Sequence, residues 1–226
     1  MNAPLAAKAF QARSISLASR YGGRTVLAIG AHPDDLELAI GGMLARLSRE
    51  SARVVMAVVS IPADYETRRA EAERAAEILG CELRFLMDGE CRRIDDIKNY
   101  QLVGMFDALV RELQPAAVLT HSATEFHRDH VAVHNACLST QRLRAFDFFH
   151  FNPTMCRPVP TQFHPRVYID VSSTIDVKMQ AIEAHTSQFG ARGLDSEMYR
   201  DLARLSGRMA GVKYAEGLDV SRMLLA

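Results

Sequence analysis

The sequence has no excess of charge of either sign: 27 Lys and Arg residues balance 27 Asp and Glu residues in a chain of 226. Such a chain projects no long-range field toward nucleic acid or an anionic membrane, and a polyanionic substrate is not expected. It also lacks an uninterrupted apolar run long enough to span a bilayer, and residues 1–20 mix Lys8, Arg13 and Arg20 with short apolar pieces instead of forming a signal-peptide core. A cytoplasmic enzyme is the expectation. The cysteines Cys81, Cys91, Cys137 and Cys156 form no C-x-x-C pair, which argues against a thiolate zinc site or a redox pair and leaves ordinary reduced thiols. Gly30 is followed by Ala31, His32 and Pro33, so the first crossover carries no Gly-x-Gly-x-x-Gly and no dinucleotide fingerprint. Internal repeats and low-complexity segments are absent too.

What is present is a regular alternation of apolar runs and helical stretches. The length suits one α/β domain with a substantial core, which we place at residues 21–226 behind an N-terminal arm at 1–20. Strands are expected over 25–31, 53–60, 83–87 and 116–121, with helices over 34–49, 66–79 and about 96–113 between them. The first of these helices carries Leu36, Ile40, Met43, Leu44 and Leu47 near the 3.6 period. Short crossovers between apolar strands predict a Rossmann-like, doubly wound, mostly parallel sheet of order 3-2-1-4 plus a C-terminal strand over 167–171. Helices are expected over 174–187 and 196–209. Residues 146–166, with Pro153, Pro158, Pro160 and Pro165 among aromatics, read as an irregular loop that walls or covers a site.

Chemistry concentrates at two strand exits. The run Ala31-His32-Pro33-Asp34-Asp35 sets an imidazole and two carboxylates where the first strand hands over to a helix. His32 and Asp35, three apart, converge on one cation, while Asp34 between them points elsewhere and stays free for proton transfer. The fourth strand ends at His121 and is followed by His127, Asp129 and His130. His32, Asp35 and one of His127 or His130 make a three-ligand set of the kind that leaves a catalytic zinc one open position. Taken singly, each cluster has an ordinary reading: an acid at a helix N-terminus, and histidines lining a solvated loop. In the order 3-2-1-4 the two exits are neighbours at the carboxyl edge, where such sheets bind ligands, and that joint placement favours the metal site.

Five ordered motifs then carry a resemblance. Ala31 to Asp35 is followed by Glu37-Leu38 and Gly41-Gly42; Arg68 and Glu71 precede Leu79-Gly80; His127 to His130 follows a Pro115-led strand; Lys178, Ala181, His185, Ser187 and Gln188 form a late cluster; and Gly211, Tyr214, Ala215 and Glu216 close the pattern. In these the chain resembles the PIG-L, or LmbE-like, zinc-dependent N-deacetylases acting on N-acetylglucosamine-type substrates. Many members have Asp-Asp-Glu in the first motif, where this chain has Leu36 after Asp35.

The resemblance implies that His32, Asp35 and His130 hold one zinc ion per chain, at a site other divalent metals also fit, with Asp34 as general base and His127 as the acid or oxyanion partner. An amide is a poor electrophile with a poor leaving group, so metal activation of water and polarisation of the carbonyl suit the reaction. A protonated His127 would stabilise the oxyanion and donate to the departing amine, with Asp129 orienting it. Arg68 resembles the family's substrate-binding arginine; His185 and Asp88 are further candidates for substrate contact. The implied partner is a small amino-sugar conjugate, with no nucleic acid and no membrane span, and a homo-oligomer is expected from the resemblance and the apolar 146–166 segment. A metal-dependent esterase or phosphoesterase using the same site, and a non-catalytic sugar-binding relative, are the alternatives.

Overall fold

The computed structural model describes residues 16–153, 163–190 and 194–224. The strands are β1 (Thr25–Gly30), β2 (Arg53–Val58), β3 (Glu82–Phe85), β4 (Ala117–His121), β5 (Asp147–Phe151), β6 (Val167–Asp170) and β7 (Ala215–Arg222). They form one sheet of order β3-β2-β1-β4-β5-β7-β6. The strands from β3 to β5 pair in parallel, and β7 runs antiparallel to both β5 and β6. The helices among the described residues are α1 (Leu17–Tyr21), α2 (Asp35–Arg49), α3 (Tyr65–Leu79), α4 (Asn99–Leu113), α5 (Arg128–Leu138), α6 (Ile175–Glu183), α7 (Thr186–Phe189) and α8 (Glu197–Ala210).

Helices on both faces explain why β1, β2 and β4 are nearly continuous apolar runs rather than alternating ones. Along β1, successive side chains serve opposite cores: Val26 and Ala28 pack with Ile40, Leu44 and Leu47 of α2, whereas Leu27 and Ile29 pack with Phe106 and Val110 of α4. Of the expected N-terminal arm, residues 1–15 lie outside the described residues. The remainder forms α1, tied to β5 by the Tyr21 hydroxyl, which donates to Asp147 at 2.8 Å, and by the fork of Arg20 on the same carboxylate.

Three expectations need correction. Residues 147–151 are not loop but the buried strand β5; its Asp-Phe-Phe-His-Phe run is covered on both faces and so shows no alternation. Residues 154–162 of that segment lie outside the described residues. β7 was not expected, because Glu216, Asp219 and Arg222 make its sequence look polar; each is instead spent on a specific partner, in α2, Arg166 and the Phe146 carbonyl respectively. The helix expected over 174–187 is two, α6 and α7, meeting at His185.

One device fixes α2, the helix that begins at the site. Glu216 accepts hydrogen bonds from the Gly42 and Met43 amides at 2.9 and 2.7 Å, and its partner Lys178 lies 2.6 Å from it and 3.5 Å from the Ala39 carbonyl. An ion pair therefore enters the backbone ladder of α2 at the Gly41-Gly42 step. Gly42 is required there: a Cβ would lie 2.8 Å from Val171 Cβ. Both charges are buried, so removing one strands the other. Glu216→Gln is expected to cost about 3–5 kcal/mol and Gly42→Ala about 1–3 kcal/mol in urea unfolding; two variants as stable as the wild type would contradict this.

Candidate metal centre

β1 hands over to α2 through residues 31–34, and Asp34 adopts φ 91° and ψ −29°. A non-glycine residue held there costs about 1–3 kcal/mol, and strain of this kind gathers at functional sites. The turn leaves Asp34 on the wall of an open groove while Asp35, the first residue of α2, sits nearly buried beneath it. Asp35 Oδ2 accepts the His32 amide at 2.8 Å and lies 3.9 Å from His32 Nδ1 and 3.3 Å from His121 Nε2, and Oδ1 lies 3.2 Å from His130 Nε2. The neighbouring exits of β1 and β4 thus meet on one carboxylate.

Of the three groove-lining histidines, His32, His127 and His130, the first and last each have a carboxylate behind them. His32 Nε2 is 3.0 Å from Asp129 Oδ2, and His130 Nδ1 is 3.4 Å from Glu125 Oε2. Backing of this kind fixes the proton on the far nitrogen and leaves the near one as a metal ligand. The 3.2 Å to His130 and the 3.9 Å to His32 are made by different oxygens of Asp35, and the groups whose ligand atoms all lie within 4.8 Å of one another are His32, His127 and His130, and Asp35, His121 and His130. Imidazole and carboxylate are donors that zinc takes, so the residues present suit a metal. His121 is also near, in a buried group with Asp35 and His130, but the Ala31 amide donates to its Nε2 at 3.0 Å and occupies that lone pair. Glu125 and His121 had no assigned role in the sequence; only their spacing from His130 and the strand end hinted at one.

The electrostatics separate the paired aspartates. Burial works against charge on Asp35, but the facing imidazoles, His130 foremost, hold its carboxyl well below the usual carboxylate range. Burial and the adjacent Asp35 charge push Asp34 up, opposed by the Arg68 guanidinium 3.6 Å away. His130 is raised in turn, because Asp35 and Glu125 outweigh its own burial. His127 moves the other way, lowered by burial and by the neighbouring His130 and His32.

His127, expected as the acid or oxyanion partner, has its pKa lowered by burial and by the neighbouring His130 and His32, and its Nδ1 accepts the Asp129 amide at 3.2 Å. Asp129 was expected to orient His127 through its side chain, which is bonded to His32 instead. The expected substrate contacts divide. Arg68 lines the groove and donates to the Pro33 carbonyl at 2.9 Å. His185 is fully buried, 3.3 Å from Glu37, and Asp88 is held by Tyr65 and Arg69, so neither lines the groove. The groove, about 1170 Å³, is also lined by Phe126, Phe189, Leu194, Met198 and Tyr199, none of which a metal motif announces.

Residues 27–140 match the model of PIG-L, described as GlcNAc-PI de-N-acetylase. The chain belongs to the PIG-L family. Among its relatives, the uncharacterized deacetylase YaiS of Escherichia coli K12 is 29% identical over 194 residues, 77% of this chain and 97% of that protein. The diacetylchitobiose deacetylase of Thermococcus kodakarensis is 26% identical over 223 residues, 86% of this chain and 82% of that protein. Among solved structures, GalB, the 4-carboxy-2-hydroxymuconate hydratase of Pseudomonas putida KT2440, superposes with a TM-score of 0.75 at 22% identity over 90% of this chain and 98% of its own. At that identity the likeness shows the PIG-L fold alone, and a hydratase on it shows that the fold does not choose the reaction.

The geometry orders the variants. His130→Ala is expected to lose stoichiometric zinc, Asp129→Asn to weaken it by about 10–100-fold, and Asp34→Asn to keep it. Metal content after dialysis against a graded chelator series checks this; equal retention by all three would refute it.

Proposed function

We propose that the protein is a metal-dependent N-deacetylase that removes an acetyl group from an N-acetylglucosamine-type amino sugar or its conjugate, using one zinc ion per chain. The observation that carries this is the contrast at the β1 exit: Asp35 lies among the imidazoles of His32, His121 and His130, whereas Asp34 borders the groove beside Arg68 with its pKa pushed up to about 6. The names of relatives as deacetylases, one acting on diacetylchitobiose, support the same reading.

Zinc, when bound by His32, Asp35 and His130, supplies a water of lowered pKa and polarises the amide carbonyl. Asp34 takes the proton from the attacking water and returns it to the departing amine, a task suited to a carboxylate shifted toward neutrality. Arg68 holds that base in place through Asp34 and the Pro33 carbonyl. His127 donates from Nε2 to the oxygen on which charge develops. Asp129 and Glu125 keep the ligand rings aligned. The products are acetate and a free amine.

The groove is at or above the upper end of small-molecule sites, about 300–1,000 Å³, so it suits a sugar carrying a further group, with the Phe126, Phe189 and Tyr199 side offering apolar contact to that group. No described helix is long and apolar enough to cross a membrane. The unpaired thiols Cys81, Cys91 and Cys137 fit a reducing compartment, and we place the enzyme in the cytoplasm.

A panel of N-acetylated amino-sugar conjugates, aryl esters and phosphomonoesters tests the reading on zinc-loaded protein. Acetate and amine are expected in equal amounts from the amides, and Asp34→Asn and His127→Gln should each lower kcat by about 10²–10⁴-fold. Phosphate release without acetate would move the site to the phosphoesterases, and no turnover on any of the three would favour a binding protein.

A further inference from the structure

The amino edge of the parallel strands, opposite the metal centre, holds a second cavity of about 780 Å³. Its wall is built where the chain enters the strands: Arg24 stands before β1, Ala116 before β4 and Asp147 at the start of β5, joined by Arg20 of α1 and Arg222 at the end of β7. From Ala116 to His121 the strand climbs roughly 16 Å, so β4 keeps this cavity apart from the groove, and the two share no residue.

The guanidiniums of Arg20, Arg24 and Arg222 share this wall with the single carboxylate of Asp147, and that carboxylate is already filled. Asp147 Oδ2 accepts from Arg20 Nε at 2.7 Å and from the Tyr21 hydroxyl at 2.8 Å, while Oδ1 accepts from Arg20 Nη2 at 2.8 Å and from the Leu224 amide at 3.1 Å. A carboxylate offers about four lone-pair sites, so none remains for the other two arginines. Arg222 is held by neutral acceptors instead: Nε donates to the Phe146 carbonyl at 2.9 Å and Nη2 to the Arg144 carbonyl at 3.2 Å, with the guanidinium 4.9 Å from the centre of the Phe146 ring. Arg24 Nη1 donates to the Arg20 carbonyl at 3.3 Å. Carbonyls orient a guanidinium without cancelling its charge, and most of the five N–H donors on each of these two stay open. Neither makes an ion pair among the described residues.

We infer that this cavity binds a small organic anion, its phosphate or carboxylate group held by Arg24 and Arg222 and its apolar body resting on Met223 and Leu224. Oriented cations with open donors recognise oxyanions, the volume lies within the range of small-molecule sites, and Ala145, Phe146, Met223 and Leu224 make the rest of the wall largely apolar. The chain as a whole is neutral, so the positive excess is local and suits one small anion rather than a polyanion. Because no residue of the cavity borders the groove, the inference stands apart from the deacetylase reading.

Calorimetric titration of the zinc-loaded full chain with phenylphosphonate, benzoate and inorganic phosphate tests this, with neutral benzamide as the control. At least one of the two aromatic anions is expected to bind with a dissociation constant of about 1 mM or below, more tightly than inorganic phosphate, and their order tells a phosphate site from a carboxylate site. Backbone amide resonances should move at residues 20–24, 145–147 and 222–224 and not at His127. Arg24→Gln and Arg222→Gln should each weaken binding by at least about tenfold. Ala145→Glu, which sets a carboxylate in the wall, should weaken it by at least about fivefold. Arg24 and Ala145 are exposed, so those two variants keep the melting temperature and zinc content of the wild type. Anion binding weaker than about 1 mM, equal binding of benzamide, affinities indifferent to all three changes, or resonance shifts confined to the groove would each overturn the inference.

Discussion

The buried carboxylate of Asp35 is the interaction on which the rest depends. A charge at that depth persists only if neighbours meet it, and its neighbours come from both sides of a sheet crevice: the His32 amide and ring from the exit of β1, and His130 from α5, which follows β4. The parallel order that makes β1 and β4 neighbours is thus also what closes the site. With Asp35 committed to the imidazoles, the adjacent Asp34 is left to face the groove at a shifted pKa, and two identical side chains acquire different chemistry from their surroundings alone.

The elements carrying these groups are fastened by buried polar ties. α2 is held by Lys178 and Glu216 inside its own backbone ladder and by Thr174, whose hydroxyl donates to the Gly42 carbonyl at 2.8 Å. α3, which supplies Arg68, is held by Glu71, whose carboxylate accepts from the Thr186 hydroxyl and from the amide and hydroxyl of Ser187 in α7. Glu37 and His185 close the space between the two helices. Each tie costs desolvation and adds little net stability over a hydrophobic substitute; its return is position, since a satisfied buried network admits one arrangement of its members. That rigidity is what holds Asp34 in a left-handed backbone conformation it would otherwise leave.

The parts of this arrangement legible in the sequence are those governed by local rules. Apolar runs with short crossovers specified β1 to β4 and their order, and the spacing of His32, Asp34 and Asp35 around a strand exit marked the crevice. What escaped was decided by tertiary partners. β5 is covered on both faces and has no alternation to read, and the polar residues of β7 became intelligible only once Glu216 met α2. Sequence adjacency suggested that Asp129 orients His127, but α5 turns its carboxylate toward His32, ninety-seven residues away. The same limit explains His185 and Asp88: a histidine late in a helical stretch and an aspartate at a strand end look like site residues until packing buries the one and Tyr65 and Arg69 take the other.

The fold alone does not decide the reaction, since the same architecture occurs in a hydratase. The central claim is therefore that Asp35, and not Asp34, joins His32 and His130 on the metal. Anomalous diffraction at the zinc edge from zinc-loaded crystals measures this directly. The account predicts one strong peak per chain within about 2.0–2.2 Å of His32 Nδ1, an Asp35 oxygen and His130 Nε2, with Asp34 outside the coordination sphere. A peak bound by Asp34, or one centred on His121 with His32 free, would contradict it.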